Sequence, residues 1–233
     1  MKAVRSRADT GLNEAERTPE TPSGKNISRR TLLGVIGAGA ALIVGGSTVQ
    51  NLTASSSLGS ALGTSGYTIY TVTGGFPTYD PQTFRIQVNG SVQHPLTLSL
   101  DELKAIDSTT LKATFQCVTG WIVPNQTFGG ARLAKVIEKA GPKSDAQYVN
   151  FTSFDGTYTE SLPLARAMKS DVIVVTHLDG APLSRPHGAP VRLFVDGEYG
   201  YKSIKWLSEI TLSPTPIVGY WEQNGYPNNA TIA

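Results

Sequence analysis

A single cysteine, Cys117, stands in a chain of 233 residues, beside only three histidines and two methionines. One thiol cannot close an internal disulfide, so no disulfide framework holds this chain together. The histidines (His94, His177 and His187) are scattered and form no Cys/His set at zinc-ligand spacing. Charged residues amount to 16%, with a formal net charge of +2. Much of the basic excess sits in the first thirty residues, where Lys2, Arg5, Arg7, Arg17, Lys25, Arg29 and Arg30 outnumber Asp9, Glu14, Glu16 and Glu20. The remainder is close to neutral, which speaks against a nucleic-acid partner, since that needs a clustered basic face. Also missing is any apolar run of roughly 20 residues, the length of a comfortable membrane span.

Glycine (24 residues) and proline (14) are plentiful, a composition suited to a loop-rich chain rather than a helical bundle. Phe84-Arg85-Ile86-Gln87-Val88 alternates and ends at Asn89-Gly90, which predicts a strand running into a hairpin turn. Ser99-Leu100-Asp101-Glu102 is a capping box and predicts a helix from Leu100 to Ile106. Lys112 to Cys117 reads as a strand ending on the cysteine. Leu133, Val136, Ile137 and Ala140 share a helical face that Gly141-Pro142 terminates. Further strands are predicted at 148–151, 172–176, 191–195 and 204–212, with a short helical turn from Leu164 to Lys169. Short strands with two or three helices make the fold class α+β, with a mixed β-sheet or barrel-like core. One domain is expected from Tyr67 to Ala233, behind a tail of residues 1–66.

That tail reads as a targeting segment. Ser28-Arg29-Arg30-Thr31-Leu32-Leu33 precedes the Gly/Ala-rich apolar run Gly34 to Gly46, and paired arginines before a mildly hydrophobic stretch are the twin-arginine export pattern. The alternative is an ordinary N-terminal membrane anchor with positive flanks. No clean Ala-x-Ala site follows, so cleavage and retention as a tether both stay open, with 53–66 as a flexible linker. A periplasmic or other extracytoplasmic location changes how Cys117 reads. A free thiol in an oxidising compartment is a liability unless it is buried or bound, and the twin-arginine route carries folded proteins, often with a cofactor already inserted.

Three segments carry chemistry-bearing residues: Cys117-Val118-Thr119-Gly120-Trp121; Ser153-Phe154-Asp155-Gly156-Thr157-Tyr158 leading to Ser161-Leu162-Pro163; and His187-Gly188-Ala189-Pro190-Val191-Arg192 followed by Tyr199-Gly200-Tyr201-Lys202-Ser203-Ile204-Lys205-Trp206-Leu207. With the closing run Gly219-Tyr220-Trp221-Glu222-Gln223-Asn224, these make the chain, from about Gln82 to Asn224, resemble the sulfite-oxidase-like molybdopterin-binding oxidoreductases. That family includes the bacterial twin-arginine-exported methionine sulfoxide reductase catalytic subunits. The resemblance implies an enzyme with a molybdenum–molybdopterin cofactor and gives Cys117 the role of thiolate ligand to the metal, which suits a soft, deprotonated donor. The other reading of Cys117 is a small buried apolar residue at a strand end.

The same resemblance distributes the remaining roles. Arg192 lies in an apolar run, where an unpaired charge is costly, and would grip the cofactor phosphate with its planar fork, or else form a structural salt bridge. Lys202 and the backbone amides of Gly200 and Tyr201 would complete the anion pocket. His187 would hydrogen-bond the cofactor, or else sit in a solvated loop. Ser153 matches a cofactor-contacting position, with Asp155 as the nearby alternative, and Lys205 is read as a buttress. Tyr158 fits the Tyr-x-x-Ser-Leu-Pro spacing of a tyrosine that faces the metal in sulfite oxidases, and competes with the reading of a half-buried strand aromatic. Trp121 is expected to line the substrate funnel, and Trp206 and Trp221 to pack.

Departures from the sulfite oxidases bear on substrate. Val118 to Pro124 brings no cation after the cysteine. A neutral, aromatic-lined mouth suits an uncharged oxide such as a sulfoxide or N-oxide, with electrons exchanged with a membrane cytochrome or quinone-linked partner. Three other classes compete with this reading. A copper electron-transfer module usually places His and Met a few residues after the Cys, and here neither follows Cys117 closely. A cofactor-less binding module of the same fold is disfavoured by the presence of Cys117, Arg192 and Lys202 together. A cysteine hydrolase would need a base and oxyanion arrangement that is not legible here.

Overall fold

The structure, a computed structural model, describes residues 66–232 together with the strands β1 (Leu42–Val44) and β2 (Ser47–Leu52). The paired arginines and most of the apolar run behind them lie outside the described residues. Among the described residues no helix is long and apolar enough to cross a membrane.

Three sheets make up the strand framework. In the first, β1 and β2 pair antiparallel with β3 (Ile69–Thr71). In the second, β6 (Thr109–Gln116), β7 (Ile122–Arg132) and β10 (Val172–Leu178) run antiparallel side by side. The free edge of β10 pairs in turn with β12 (Arg192–Val195) and β11 (Ala181–Pro182). The third sheet has the order β5 (Leu96–Leu98), β4 (Ile86–Gly90), β13 (Leu207–Ser213), β8 (Tyr148–Ser153), β9 (Thr159–Pro163). It is mixed, because β4 and β13 are parallel while the other pairs are antiparallel. Among the described residues three short α-helices, α1 (Leu100–Ile106), α2 (Leu133–Ala140) and α3 (Leu164–Ala167), complete an α+β fold.

Strands β10 and β12 of the second sheet are buried on both faces, and strand alternation divides their side chains between two cores. Val172, Val174, Leu193 and Val195 point into the main core, with Leu103 of α1, the apolar face of α2 and the inner residues of the third sheet. Ile173, Val175 and Phe194 point the other way, into a smaller cluster with Tyr67, Phe115 and Phe128. This explains why 172–176 reads as an unbroken β-branched run. It also fixes the direction of Arg192, which alternates in step with Phe194 and so faces the aromatic cluster rather than the main core.

Local signals account for both long helices. Ser99 accepts from the Glu102 backbone N–H, and the Glu102 carboxylate accepts from the Ser99 backbone N–H, so the capping box forms and α1 has the predicted bounds. Gly141 ends α2 in the left-handed conformation, with its N–H on the carbonyls of Ile137 and Glu138. Elsewhere the sequence misleads. Asn89-Gly90 is the last stretch of β4, not a turn, because the Asn89 side chain bonds Glu209 and Thr211 across the parallel pair. The strand predicted from Ile204 begins only at Leu207, because Trp206 takes a left-handed φ of 58° that breaks the extended run. β7, at eleven residues, is longer than any predicted strand, and it lies in a stretch that reads as loop.

Phe128 stacks on Phe194 with ring centroids 3.7 Å apart and is fully buried. Phe128→Ala is therefore expected to destabilise the fold by about 3–5 kcal/mol, whereas Ser99→Ala should cost about 1 kcal/mol through the lost cap. Urea unfolding of the two variants, followed by circular dichroism, checks both the size and the order of these effects.

Candidate functional site

The aromatic cluster forms one wall of a cleft. Tyr67 to Val72, Phe115, Cys117 to Thr119, Trp121, Tyr158, His187, Arg192, Gly200, Tyr201 and Lys205 all line it. Six of the residues singled out from sequence therefore meet here: Cys117, Tyr158, His187, Arg192, Gly200 and Tyr201. Three do not.

Cys117 opens the five-residue loop between β6 and β7. Its N–H donates to Trp121 O, and Gly120 N–H donates back to Cys117 O, both at 3.0 Å, so the sulfur is presented from a closed turn. The Thr119 hydroxyl donates to Sγ at 3.2 Å. Burial pushes the thiol pKa up, with Thr119 pulling part of the way back. A thiolate here needs a positive neighbour, and a bound metal ion is one that deprotonates a thiol outright. No group of three or more His, Cys, Asp or Glu side chains lies together among the described residues, so protein donors alone do not build a metal site. This removes the His-rich copper arrangement and leaves Cys117 as a lone thiolate that would need further ligands from a cofactor.

Arg192 is 4% exposed. Its guanidinium donates to three carbonyls, His187 O at 3.2 Å, Ser203 O at 3.0 Å and Leu193 O at 3.3 Å, and sits 5.3 Å from the centre of the Phe115 ring. Lys205 Nζ donates to Tyr70 O at 2.6 Å and Pro186 O at 3.2 Å, and lies over the Trp206 ring. Neither cation meets a carboxylate within ion-pair distance among the described residues. Burial lowers Arg192 to about 10, and burial together with the neighbouring Arg192 charge lowers Lys205 to about 7. A buried guanidinium and a half-buried lysine, neither with a carboxylate partner among the described residues, are suited to receive an anion. Two further hydrogen-bonding groups, Tyr67 OH and Trp121 Nε1, are buried in the same walls without a protein partner.

The local backbone makes this approach feasible. Gly188 has a φ of +100°, and a Cβ there would stand 2.9 Å from Lys205 Cβ. At Gly200 a Cβ would fall 2.4 Å from the Phe115 ring. Trp206, in its left-handed conformation, turns the chain between Lys205 in the cleft and Leu207 in the third sheet, and its indole N–H is held on Arg185 O at 2.9 Å. His187 is buried in the short 3₁₀ turn Arg185–His187, edge-on to the Tyr67 ring at 4.6 Å, and not in a solvated loop.

Lys202, Ser153 and Asp155 lie elsewhere. Lys202 Nζ donates to Glu160 at 2.7 Å and to Glu222, and all three side chains are essentially sealed from solvent. Two carboxylates already neutralise it, so it is not the cleft's anion-binding lysine. Burial would lower Lys202, but the carboxylates outweigh it and hold the ammonium above its ordinary pKa. Burial raises Glu160, aided by Glu222 and opposed by Lys202. The triad fastens the closing segment, including Trp221 and Tyr226, across the cleft wall. Ser153 donates to Asp155 at 2.6 Å and accepts from Tyr158 N–H, and Asp155 also takes Thr157 N–H and its hydroxyl. That pair builds the turn between β8 and β9 and does not line the cleft. Tyr158 reaches the cleft, but its hydroxyl donates to Tyr201 O at 2.7 Å and its ring stacks on Tyr220. Its proton is committed to the protein, and burial beside Glu160 and Glu222 keeps it there.

The sequence reading missed Lys205 as a cleft cation and the Tyr67–Val72 segment as a wall. Lys205 carries the signal that singled out Arg192, a cation flanked by apolar residues (Ile204, Trp206 and Leu207).

Comparison with known proteins places this cleft in context. Residues 73–221 match the family described as oxidoreductase molybdopterin binding domain. YuiH, an uncharacterized oxidoreductase of Bacillus subtilis, is 36% identical over 155 residues, covering 66% of this chain and 78% of that protein. Human mitochondrial sulfite oxidase is 32% identical over 179 residues, covering 64% of this chain and 33% of the relative, and the Drosophila melanogaster enzyme is 30% identical with 30% of its length covered. The chain thus spans about a third of the sulfite oxidases it matches. Among solved structures, the sulfane dehydrogenase SoxCD of Paracoccus pantotrophus superposes with a TM-score of 0.58 at 23% identity, over 64% of this chain and 42% of that one, a likeness of fold.

The low pKa of Lys205 gives a proton signature to anion binding. With Lys205 near 7, the amine is mostly neutral at about pH 8, and a bound oxyanion favours the ammonium form. Binding of inorganic pyrophosphate at about pH 8 should therefore take up a proton, whereas at about pH 6 it should not. Calorimetry in two buffers of different ionisation enthalpy reads this directly, and Lys205→Met should abolish the uptake.

Proposed function

The chain belongs to the oxidoreductase molybdopterin-binding domain family, and from that premise we propose that it is the catalytic domain of an exported oxygen-atom-transfer enzyme, with Cys117 as the protein ligand to molybdenum and an uncharged sulfoxide or N-oxide as substrate. It is an oxidoreductase whose cofactor is molybdenum–molybdopterin. One observation carries the assignment of the site: a half-buried thiol, a buried arginine and a half-buried lysine share a single cleft, and neither cation has a carboxylate partner among the described residues.

The residues fit the group. When bound, the cofactor supplies two-electron redox chemistry at the metal. Arg192 and Lys205 would hold its anionic end, and Tyr67 OH and Trp121 Nε1 offer hydrogen-bonding groups to its polar edge. Cys117 would give a soft sulfur to the metal from a turn its own backbone closes. Phe115, Trp121 and Tyr70 wall the cleft beside the cysteine with stacked rings, which keeps water away from the reacting position.

The substrate proposal rests on charge. Arg192 and Lys205 are assigned to the cofactor's anionic end, and no cation follows the cysteine in the loop 117–121, so no charge in that loop is arranged to hold a sulfite-like dianion. The names of the relatives point to sulfur-centred substrates, which favours a sulfoxide within this class. Paired arginines at 29–30 support export to the periplasm or another extracytoplasmic space, with a membrane cytochrome or quinone-linked protein as electron partner.

Purified protein should carry about one molybdenum per chain. Cys117→Ser should retain the pterin but alter the metal's absorption spectrum and abolish turnover. Arg192→Ala should weaken cofactor retention about 10- to 100-fold, the worth of lost charge-assisted bonds. Copper, or no metal, in the parent protein would defeat the assignment.

With a reduced viologen dye as electron donor, the loaded protein is expected to reduce dimethyl sulfoxide or a methionine sulfoxide, and with ferricyanide as electron acceptor it is expected to leave sulfite unoxidised. Efficient sulfite oxidation with no sulfoxide turnover would sink the substrate proposal while leaving the cofactor assignment intact.

A further inference from the structure

If Cys117 is the metal's thiolate, the groups touching its sulfur become part of the redox centre. Among the described residues the one side-chain hydrogen bond recorded at Sγ comes from the Thr119 hydroxyl, at 3.2 Å. The bond is imposed by the loop. The reciprocal bonds Cys117 N–H to Trp121 O and Gly120 N–H to Cys117 O hold the turn, and Gly120 takes a φ of +101° to close it. Thr119 is thereby fixed two residues beyond the sulfur it faces. On its other side, Tyr70 OH lies 3.5 Å from Thr119 Oγ1, a long contact between two hydroxyls in the same wall. A threonine hydroxyl has one proton, and in this arrangement it is given to sulfur, which leaves the oxygen to accept from Tyr70.

The geometry points to Thr119 as a positioning residue that sets the donor strength of the Cys117 thiolate, and through it the reduction potential of the metal, with Tyr70 supporting the same bond. This rests on Cys117 being the ligand. A hydrogen bond to a thiolate draws charge away from the sulfur. The sulfur then donates less to the metal, the oxidised state is less stabilised, and the potential rises. The loop 117–121 offers no charged group to do this work, and beside the backbone N–H groups of Val118 and Thr119, which also favour the thiolate, the Thr119 hydroxyl is the side-chain lever.

The test uses cofactor-loaded protein and reads three quantities: metal content, the midpoint potential from a dye-mediated titration followed by EPR, and the energy of the thiolate-to-metal absorption band. Thr119→Val should load metal as the parent does, lower the equilibrium constant for reduction about tenfold and move the band to longer wavelength. Thr119→Ser should keep both parent values. Tyr70→Phe should shift both in the direction of Thr119→Val, by less. A fully loaded Thr119→Val with the parent's potential and band overturns the proposal, as does a Thr119→Ser that behaves like Val. Should Val at 119 prevent loading, the other two variants decide: a potential lowered in Tyr70→Phe and held in Thr119→Ser supports the role, and parent potentials in both overturn it. Cys117→Ser separates this from the underlying reading, because a loaded Cys117→Ser that keeps the parent band removes Cys117 as ligand whatever Thr119 does.

Discussion

Arg192 is a full charge inside the protein with no carboxylate beside it among the described residues, and the shape of the cleft follows from what that burial demands. Taking an ion out of water costs several kcal/mol even after relaxation. Three carbonyls offset part of this, each bond to a charged group contributing about 1.5–3 kcal/mol. They come from separate stretches: His187 in a 3₁₀ turn, Leu193 in β12, and Ser203 just past a second turn. The guanidinium therefore gathers the loops around itself, and the Phe115 face supplies a cation–π contact on another side. Lys205 enters the same space and is depressed by it. The cleft is organised around a cation that the protein alone leaves uncompensated.

How legible this was depended on how far apart in sequence the determining contacts lie. A cation in an apolar run marks a costly burial, and that signal correctly singled out Arg192. The division of labour between Lys202 and Lys205, three residues apart, was not legible. It is decided by Glu160 and Glu222, which lie 42 and 20 residues from Lys202 and become its partners only once β9 and the closing segment have folded against the turn. Ser153 and Asp155 fail for a related reason: both are well placed in sequence, but they are consumed by each other and by the turn they build.

The fold divides along the same line. Elements specified by short-range chemistry read directly: the Ser99–Glu102 box gives α1, the 133–140 face with Gly141 gives α2, and the β-branched 172–176 run gives a strand buried on both faces. β7 was invisible because Pro124, Gly129 and Gly130 mimic loop composition. Gly130 is there for close approach, since a Cβ on it would fall 2.1 Å from Val174 O. A strand that must press against its neighbour looks, residue by residue, like a stretch avoiding structure. Likewise Asn89-Gly90 has turn chemistry but is held in a strand by side-chain bonds to the parallel partner β13.

The uncompensated pair of cations has a consequence for the life of the chain before it takes up its cofactor. Burial and the Arg192 charge hold Lys205 down to about 7, so in the cofactor-free molecule Lys205 gives up its proton near neutral pH, and an incoming anion draws the proton back. Any ligand that binds the folded form alone deepens its stability by mass action. Here the gain falls on the stretches whose carbonyls Arg192 holds: the His187 turn, and the Ser203 stretch that carries the chain from β12 in the second sheet to β13 in the third.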